Sequence, residues 1–253
     1  MRIISWNVNG FRARQGAIER LVKEYEPNLL CCQKIRVGGG FIFQVPGYFS
    51  WLGCTEPTLP GGVATFIKKP FIPTAEGVDL LMPQWLKDTG CLQMLPFEDV
   101  AFVNAYFPYA NKYDQKWIDI RRQWDYEIHD YLVALSKRMP IVMCGDLNIV
   151  DKDIDAWNGV SVKKDGCFFD WIHRNFDSMR KAVGLVDSFR ALHPDDKSFS
   201  YFHRNQPEYR LNNQGFRIDY FLASESLMPK VKRSEIIQDY IDTDSNPILL
   251  DIE

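Results

Sequence analysis

The feature that most constrains the fold of this chain is a long amphipathic segment in its middle, followed at once by a short apolar one. In "DQKWIDIRRQWDYEIHDYLVALSKR" (114–138), apolar residues recur at helical spacing, at positions 117, 118, 120, 124, 128, 131, 132 and 135. "PIVMCGDLN" (140–148) then has the composition of a fully buried strand that ends in a loop. This order predicts a helix that covers a sheet, with a buried strand next in the chain.

Strand-like runs lie on both sides of this predicted helix. Before it, "RIISWNV" (2–8) and "NLLCCQ" (28–33) flank a helical pattern at 16–26, and short aromatic and β-branched runs fill 47–108. After it, a helix near 168–182 precedes "RIDYFLA" (217–223) and "NPILLDI" (246–252). Two strand-rich halves, each covered by helix, predict an α/β sandwich of two sheets with helices outside. No repeat or linker divides the 253 residues, so a single domain over 1–253 is expected.

Composition and charge exclude several classes of protein. Apolar residues make up 46% of the chain and charged residues 25%, which is enough for a full core. No apolar run approaches the roughly 20 residues that a membrane span needs, and "MRIISWNVNG" lacks the apolar region of a signal peptide. We therefore expect a cytoplasmic protein with no membrane partner. The net charge of −3 means that any nucleic acid would be bound through a local patch.

The six cysteines form no CxxC pair and no spacing with histidine that is typical of a zinc site. Several of them lie inside apolar runs, such as the pair in "NLLCCQ". We therefore expect reduced thiols in the core rather than disulfides or metal ligands.

Polar side chains follow the ends of the predicted strands. They are Asn7, Asn9, Lys34, Tyr106, Asp146, Asn148, Asp219 and Asp244. Strand ends on one rim can converge on a single crevice, which makes the pattern a hypothesis for a site. Several also have an ordinary explanation, because "GDLN" could be a turn, Tyr106 a core aromatic and Asn7 a buried loop residue. Asp219 is harder to explain in that way, since a carboxylate within an apolar run is costly to bury without a cation or donors.

Five motifs occur in a characteristic order along the chain. They are "SWNVNG" (5–10), "YFP" (106–108), "GDLN" (145–148), "VDSFR" (186–190) and "FRIDYFLAS" (216–224). In this order they resemble the exonuclease III family of abasic-site (AP) endonucleases, within the wider endonuclease/exonuclease/phosphatase superfamily. The resemblance spans essentially the whole chain. It implies a four-layer α/β sandwich and a phosphodiester bond cut by water with one Mg²⁺ on the phosphate.

The resemblance also implies roles for individual residues. Asp146 would orient or deprotonate the water, Asn148 would hold the water and the phosphate, and Tyr106 would contact the phosphate. Asn7 would lie near the metal, and Asp219 would organise the site. The catalytic candidates are therefore Asp146, Asn148, Tyr106, Asp219 and Asp244. The substrate-binding candidates are Asn7, Lys34, Phe216, Ser245 and Arg121, the last at a position where the family has an arginine that faces DNA.

Two positions depart from the pattern of the family. The family's "LQE" reads "CQK" here, so Lys34 stands where the metal-binding glutamate is expected. The family's "SDH.P" reads "TDSNP" (243–247), which keeps Asp244 and puts Ser245 in place of the histidine. An ammonium cannot ligate Mg²⁺, and a hydroxyl lacks the charge of an imidazolium. No tightly bound metal is expected. Tyr109 and Phe216 are milder departures, where the family has an asparagine and a tryptophan.

Charge arithmetic suggests what Lys34 could do. A glutamate with Mg²⁺ carries −1 + 2 = +1, which is also the charge of one lysine. Lys34 could therefore balance the acidic residues and still bind phosphate, without the Lewis acidity that makes Mg²⁺ catalytic. The alternative is that Lys34 simply turns into solvent.

Two functions remain open at this point. The first is a nucleic-acid-binding protein, with DNA as the first choice and RNA as the second, in which hydrolysis is weak or absent. The second is an active Mg²⁺- or Mn²⁺-dependent AP endonuclease and 3'-5' exodeoxyribonuclease of base excision repair, with a displaced ion. A phosphatase or lipid phosphodiesterase is disfavoured by "FRIDYF" and "VDSFR". Basic and aromatic residues that could grip a strand are Arg121, Arg122, Lys163, Lys164, Arg204, Arg210 and Arg217, with Tyr201, Phe202 and Phe216 among them.

Overall fold

The structure is a computed structural model of the chain, and it describes residues 1–36, 44–53, 57–74, 81–158, 166–204 and 206–253. The strands and helices, in chain order, are β1 (Arg2–Asn7), α1 (Gln15–Tyr25), β2 (Leu29–Gln33), β3 (Tyr48–Leu52), β4 (Val63–Lys68), α2 (Gln84–Thr89), β5 (Leu92–Phe97), β6 (Val100–Tyr106), α3 (Gln115–Ser136), β7 (Ile141–Asp146), α4 (Asp170–Val183), β8 (Leu185–Asp187), α5 (Ser188–Leu192), α6 (Pro207–Leu211), β9 (Asp219–Ser224), β10 (Val231–Ile236) and β11 (Ile248–Ile252). None of the described helices is long and apolar enough to cross a membrane.

The strands form two mixed sheets. The first has the order β10-β11-β1-β2-β4-β3, and the second has the order β5-β6-β7-β9-β8. One core cluster joins the inner faces of both sheets, with Ile3 and Leu29 from the first packed among Val142 and Phe221 from the second. A second cluster packs α1 on the outer face of the first sheet, and a third packs α3 and α4 on the second. The predicted four-layer α/β sandwich is confirmed.

The central helix forms where the spacing of apolar residues predicts it. The side chain of Asp114 accepts a hydrogen bond from the N–H of Lys116 and caps the start of α3. The buried stripe of α3 includes Trp124, Ile128 and Leu132, which face the second sheet. The helix ends at Ser136, shortly before Pro140, which cannot continue a helix.

The topology brings the polar strand ends to one rim. Strands β1 and β2 are parallel, so Asn7 and Gln33 lie side by side at their ends. Strands β6 and β7 are also parallel, which pairs Tyr106 with Asp146. Parallel strands end at the same edge of a sheet, and the two sheets pack face to face. The predicted convergence therefore follows directly from the strand directions.

Two of the predicted boundaries shift for a physical reason. Strand β9 begins at Asp219 rather than at 217, because Arg217 turns inward to bond Asp155 and Asp187. Strand β11 begins at Ile248 rather than at 246, because the side chain of Asn246 is bonded to the backbone of Phe199 and leaves the ladder. The five cysteines among the described residues are buried and form no disulfide with one another, which agrees with the prediction of reduced thiols in the core. Cys54, Lys163 and Lys164 lie outside the described residues.

Candidate functional site

Two aspartates face each other at the centre of the rim. Asp146 is the last residue of β7 and lies in register with Asp219, the first residue of β9. The side-chain amide of Asn7 donates a hydrogen bond of 2.8 Å to Oδ2 of Asp146. The N–H of Asn148 donates to Oδ1 of the same carboxylate at 3.1 Å. Within the "GDLN" turn, the side chain of Asp146 therefore accepts a hydrogen bond from the backbone two residues later, as in an ordinary turn. That bond fixes the direction of the Asp146 carboxylate.

Asn148 and Gly145 have backbone conformations that few residues adopt. Asn148 has a φ of 47°, which asparagine tolerates better than most residues do, and its side chain donates to the carbonyl of Phe107 at 2.7 Å. Gly145 has a φ of 138°, and a Cβ there would lie 1.8 Å from the carbonyl oxygen of Ala105. Only glycine fits at this position. Its missing side chain allows β6 and β7 to approach and places Tyr106 beside Asp146.

Lys34 follows β2 and turns toward the acidic residues. Its Nζ lies 3.6 Å from Oδ2 of Asp146, and its side chain is 22% exposed. The same Nζ lies 4.9 Å from the centre of the Tyr106 ring, within range of a cation–π contact. The structure therefore directs Lys34 into the site and not into solvent. We call Asn7, Lys34, Tyr106, Asp146 and Asp219 the Lys34 cluster.

The backbone of Lys34 is held by its neighbours and not by its own side chain. Its φ is 49°, in the left-handed region that costs a lysine roughly 1 to 2 kcal/mol. The carbonyl of Lys34 accepts the N–H of Gly10 at 2.8 Å. The next two residues donate to Gly62 and Gly61 at 3.3 and 2.9 Å. These main-chain bonds impose the conformation whatever side chain the residue carries.

Burial and neighbouring charges shift the pKa values of the Lys34 cluster. Burial alone would lower the pKa of Lys34, but the hydroxyl of Tyr106 and the carboxylates of Asp146 and Asp244 outweigh it, so the pKa is raised. Burial raises the pKa of Tyr106 to about 12, although Lys34 opposes the shift. Burial also raises the pKa of Asp146, against the opposing effects of Lys34 and Asn148. Lys34 therefore remains an ammonium ion.

Asp219 has the least compensated carboxylate of the cluster. It is 3% exposed, and neither of its oxygens has a hydrogen-bond partner of normal geometry among the described residues. Its N–H donates to Oγ of Ser200 at 3.1 Å. Burial, followed by the charge of Asp146, raises the pKa of Asp219 well above its usual range. This carboxyl group is suited to hold a proton or to contact a cation.

Asp244 and Ser245 lie at the edge of the cluster. Oδ1 of Asp244 accepts a bond of 3.2 Å from the side chain of Asn9. The carbonyl of Ser245 accepts a bond of 2.9 Å from the indole N–H of Trp6, which ties this loop to β1. Ser245 has no exposed surface, and its hydroxyl has no hydrogen-bond partner among the described residues. The prediction that Ser245 contacts a substrate does not fit this buried position.

Arg121 does not face the outside of the protein, contrary to the sequence prediction. It is 1% exposed, and its Nε donates to Oδ1 of Asp125 at 2.7 Å. Its Nη1 donates to the carbonyls of Pro108 and Asn148 at 3.0 and 3.4 Å. The reason is the position of Arg121 on the buried face of α3, one turn before Asp125. Arg121 links the loops that follow β6 and β7 and so supports the site from below.

Phe216 contributes to an aromatic wall. Its ring stacks on Tyr201, with centroids 6.3 Å apart and planes inclined by 15°, and meets Phe168 edge to face at 6.2 Å. Burial raises the pKa of Tyr201 to about 12, and Asp244 adds to that shift. Tyr201 also forms an isolated β-bridge with Ser245, the neighbour of Asp244, so the wall lies beside the acidic residues. Phe216 therefore lies in this aromatic wall, and its contact with a substrate stays a prediction.

A buried ionic network beneath the site was not predicted. Asp155 accepts bonds from Arg217 at 2.8 and 3.0 Å and another from Arg190 at 2.5 Å. Arg217 also donates to Asp187 at 2.7 Å and is 1% exposed, so it cannot grip nucleic acid as expected. Despite burial, these arginines lower the pKa of Asp155. The motifs "VDSFR" and "FRID" contain the partners, but nothing in the sequence marks Asp155.

Comparison with known proteins shows the family of this chain. The model of the endonuclease/exonuclease/phosphatase family matches residues 4–239. The chain belongs to the endonuclease/exonuclease/phosphatase family. It is 30% identical to an exodeoxyribonuclease of Bacillus subtilis over 253 residues, covering 99% of this chain and 98% of the relative. It is 31% identical to the DNA repair nuclease APEX1 of Danio rerio, covering 99% of this chain and 81% of the relative.

Solved structures of the endonuclease/exonuclease/phosphatase family show the same fold. An AP endonuclease from Archaeoglobus fulgidus superposes with a TM-score of 0.89 at 22% identity, covering 100% of this chain and 99% of the other. A 3'-5' exonuclease from Neisseria meningitidis gives a TM-score of 0.88 at 20% identity, with 100% of each chain covered. The resemblance to the exonuclease III type is confirmed at the level of family and fold.

The donors at the site do not fit the metal that the resemblance to this family implies. Among the described residues no group of three or more histidine, cysteine, aspartate or glutamate side chains could hold a metal ion. The position expected for the glutamate ligand carries the ammonium of Lys34, 3.6 Å from Oδ2 of Asp146. A divalent ion bound there would meet a positive charge in place of a ligand.

Proposed function

We propose that this protein binds nucleic acid by holding a backbone phosphate at the Lys34 cluster, and that it hydrolyses phosphodiester bonds weakly or not at all. The observation that carries the proposal is the 3.6 Å separation between Nζ of Lys34 and Oδ2 of Asp146. An ammonium at this point balances the acidic residues and offers hydrogen-bond donors to phosphate oxygens. It does not polarise the phosphorus as Mg²⁺ does.

The second part of the proposal concerns the missing histidine. Ser245 replaces it, and its hydroxyl is buried without a partner among the described residues. Loss of one preorganised donor to a transition state typically reduces a rate on the order of 10² to 10³. The metal carboxylate and the histidine act on the same developing charge. We therefore expect their combined loss to leave binding and to remove most of the hydrolysis.

DNA is the partner that the relatives support. Two relatives are named exodeoxyribonuclease and DNA repair nuclease, and a 3' phosphatase from Neisseria with a TM-score of 0.88 was solved with a product DNA hairpin. The overall charge of −3 requires a local basic surface for such a partner. RNA has the same phosphates and stays the second choice.

An active metal-dependent nuclease is the alternative, and one observation favours it. Both carboxylate oxygens of Asp219 are buried without a hydrogen-bond partner among the described residues, and Asp146 lies opposite in the ladder. A Mg²⁺ or Mn²⁺ ion displaced from the family position could contact these oxygens. Such an ion would restore the AP endonuclease or 3'-5' exodeoxyribonuclease activity implied by the family.

Incision of a duplex with one abasic site, with Mg²⁺, with Mn²⁺ and with EDTA, separates the two functions. The proposal expects equal and very slow nicking under all three conditions, together with binding of the duplex in EDTA. Calorimetric titration of Mg²⁺ should show no tight binding. Brisk nicking that EDTA abolishes would establish the alternative.

Reversion of both departures tests whether the remaining site is intact. In Lys34→Glu with Ser245→His, Mg²⁺-dependent nicking should rise by several orders of magnitude, since each restored group contributes on the order of 10² to 10³. Each single reversion should give much less than the pair. If the double variant folds and binds DNA but does not nick it faster than the wild type, the loss of activity has another cause.

A further inference from the structure

A cavity opens beside the Lys34 cluster. Its volume is about 440 Å³, and its lining comes from the loop after β1, the segment around α6 and the loop before β11. Asn9 and Asp244 are among the lining residues, and they are bonded to each other at 3.2 Å. The N–H of Asn9 also donates to Oδ1 of Asn7, a member of the Lys34 cluster, at 3.2 Å, so the cavity and the cluster are adjacent. Cavities that bind small ligands are of this size.

The cavity is locally basic in an acidic protein. Arg14, Arg204 and Arg210 line it, against the carboxylates of Asp242 and Asp244. Asp242 is already paired with Arg20 at 2.8 Å. The balance therefore favours an anion, although the chain has a net charge of −3.

Arg210 and Arg204 provide this charge in different ways. Arg210 is held by Asn246 and by the carbonyl of Thr243, and its guanidinium lies 4.6 Å from the centre of the Phe202 ring. It forms a fixed wall. Arg204 is exposed, so its guanidinium is free to reach a ligand. One fixed and one adjustable guanidinium suit a phosphate that enters from solvent.

Two lining residues carry polar atoms that lack partners. Oδ1 of Asn9 and Nε of Arg14 are buried, and neither has a hydrogen-bond partner among the described residues. One is an acceptor and the other a donor. Buried groups of this kind are paired in the large majority of cases, so an acceptor and a donor from a ligand would complete them.

The lining also contains exposed apolar side chains. Leu211, on α6, is 87% exposed, and Ile241, in the loop before β11, is 70% exposed. Two aliphatic side chains from separate segments on a basic cavity offer apolar surface to a flat ring, next to donors for a phosphate. Proteins that bind single strands combine a positively charged groove with side chains on which the bases pack, and those side chains are aromatic in the best-known cases. Here two aliphatic side chains would take that place.

We propose that this cavity binds one nucleotide of a single-stranded nucleic acid, whose adjacent phosphate lies at the Lys34 cluster. The base would contact Leu211 and Ile241. The phosphate on the other side of this nucleotide would accept from Arg204, beside the fixed Arg210, and Nε of Arg14 would also donate to the ligand. A base that is paired in a duplex cannot enter, because the cavity holds one nucleotide and the paired base of the other strand would have to enter with it. The inference rests on the proposed function, since the cluster takes the adjacent phosphate, and it adds a preference for unpaired strands.

The test uses fluorescence anisotropy of labelled hexathymidylate, hexauridylate and a blunt DNA duplex, in EDTA at one salt concentration. Leu211→Ser with Ile241→Ser removes the apolar surface without changing the charge. Loss of aliphatic contact with one base should weaken binding of a hexanucleotide on the order of 5-fold, the lower end of what base–aromatic stacking contributes. Binding of the duplex should change by less than about twofold. Leu192→Ser is the control, since Leu192 is 41% exposed on α5 and lies outside the cavity.

The double variant also distinguishes DNA from RNA. The cavity prefers DNA if hexathymidylate loses more affinity, and it prefers RNA if hexauridylate does. Unchanged affinity for both hexanucleotides would overturn the inference, and so would a loss that the duplex shares equally. Lys34→Gln separates this outcome from failure of the proposed function, because it should weaken binding of all three probes. If Lys34→Gln changes none of them while the cavity variant still discriminates, the phosphate role of the cluster is wrong and the nucleotide cavity stands.

Discussion

Replacement of Lys34 by methionine measures how strongly this one charge stabilises the fold. Methionine keeps the length of the side chain and removes the charge. At 3.6 Å from Oδ2 of Asp146, the ammonium contributes about 5 kcal/mol of attraction at an effective dielectric constant of about 20. Breaking a buried pair costs about 3 to 5 kcal/mol, and the side chain of Lys34 is 22% exposed. We therefore expect a loss near the lower end, about 3 kcal/mol.

Thermal and urea unfolding at pH 8 provide the measurement. At that pH Asp146 is least able to relieve the loss by taking up a proton. For a chain of this size, a loss of about 3 kcal/mol lowers the Tm by about 6 to 12 °C. The matched control is Lys232→Met, whose pair with Glu253 is shorter, at 3.0 Å, but is exposed on both sides. That change should cost less than about 1 kcal/mol.

A double variant shows whether Asp146 is the partner that matters. Lys34→Met with Asp146→Asn should recover most of the lost stability, because the remaining cluster then carries one fewer uncompensated negative charge. The reasoning is refuted if Lys34→Met at pH 8 is as stable as the wild type, or if its loss equals that of Lys232→Met. Either result would mean that the acidic residues do not need the amine.

Two further predictions concern buried charges elsewhere in the site. The folded-state pKa of Asp219 is raised, so the contribution of this carboxyl group to stability is fully present below about pH 4 and is lost as the pH rises toward that pKa. Asp219→Asn should therefore raise the Tm at pH 8 by a few degrees and leave the Tm unchanged near pH 4. The same shift in Tm at both pH values would contradict this prediction. Arg121→Ala leaves the carboxylate of Asp125 buried without its cation, and in a urea titration it should lower the free energy of unfolding by about 3 to 5 kcal/mol. The control is Arg122→Ala, at a side chain that is 57% exposed, which should lower the free energy of unfolding by less than about 1 kcal/mol.

Much of the architecture could be predicted from the sequence because it depends on local periodicity. The helical spacing in 114–138 produced α3, and the apolar run before "GDLN" produced β7. The rim of polar residues was also predictable, since strands β1, β2, β6 and β7 each end in a residue that an apolar run does not explain. Strand direction then brought these ends together.

The contacts of arginine side chains could not be predicted from the sequence. The sequence predicts that Arg121 and Arg217 contact nucleic acid, and it makes no prediction for Arg190, yet all three are buried and paired. Their carboxylate partners are four or more positions away, and Asp155 lies 62 residues from Arg217. Burial of a charge depends on where its partner is placed in three dimensions, which no periodic pattern reports. The cavity beside α6 could not be predicted either, because three segments that are distant in the sequence line it.

The backbone of residue 34 is set by main-chain bonds to Gly10, Gly61 and Gly62, which has a consequence for how such proteins change over time. The path of the chain at this point does not depend on whether the side chain is an acid or an amine. A substitution can therefore reverse the sign of the charge at the heart of the crevice while the outline of the crevice stays the same. In this fold, the backbone shape of the crevice and the charge of the side chain at residue 34 can therefore change independently.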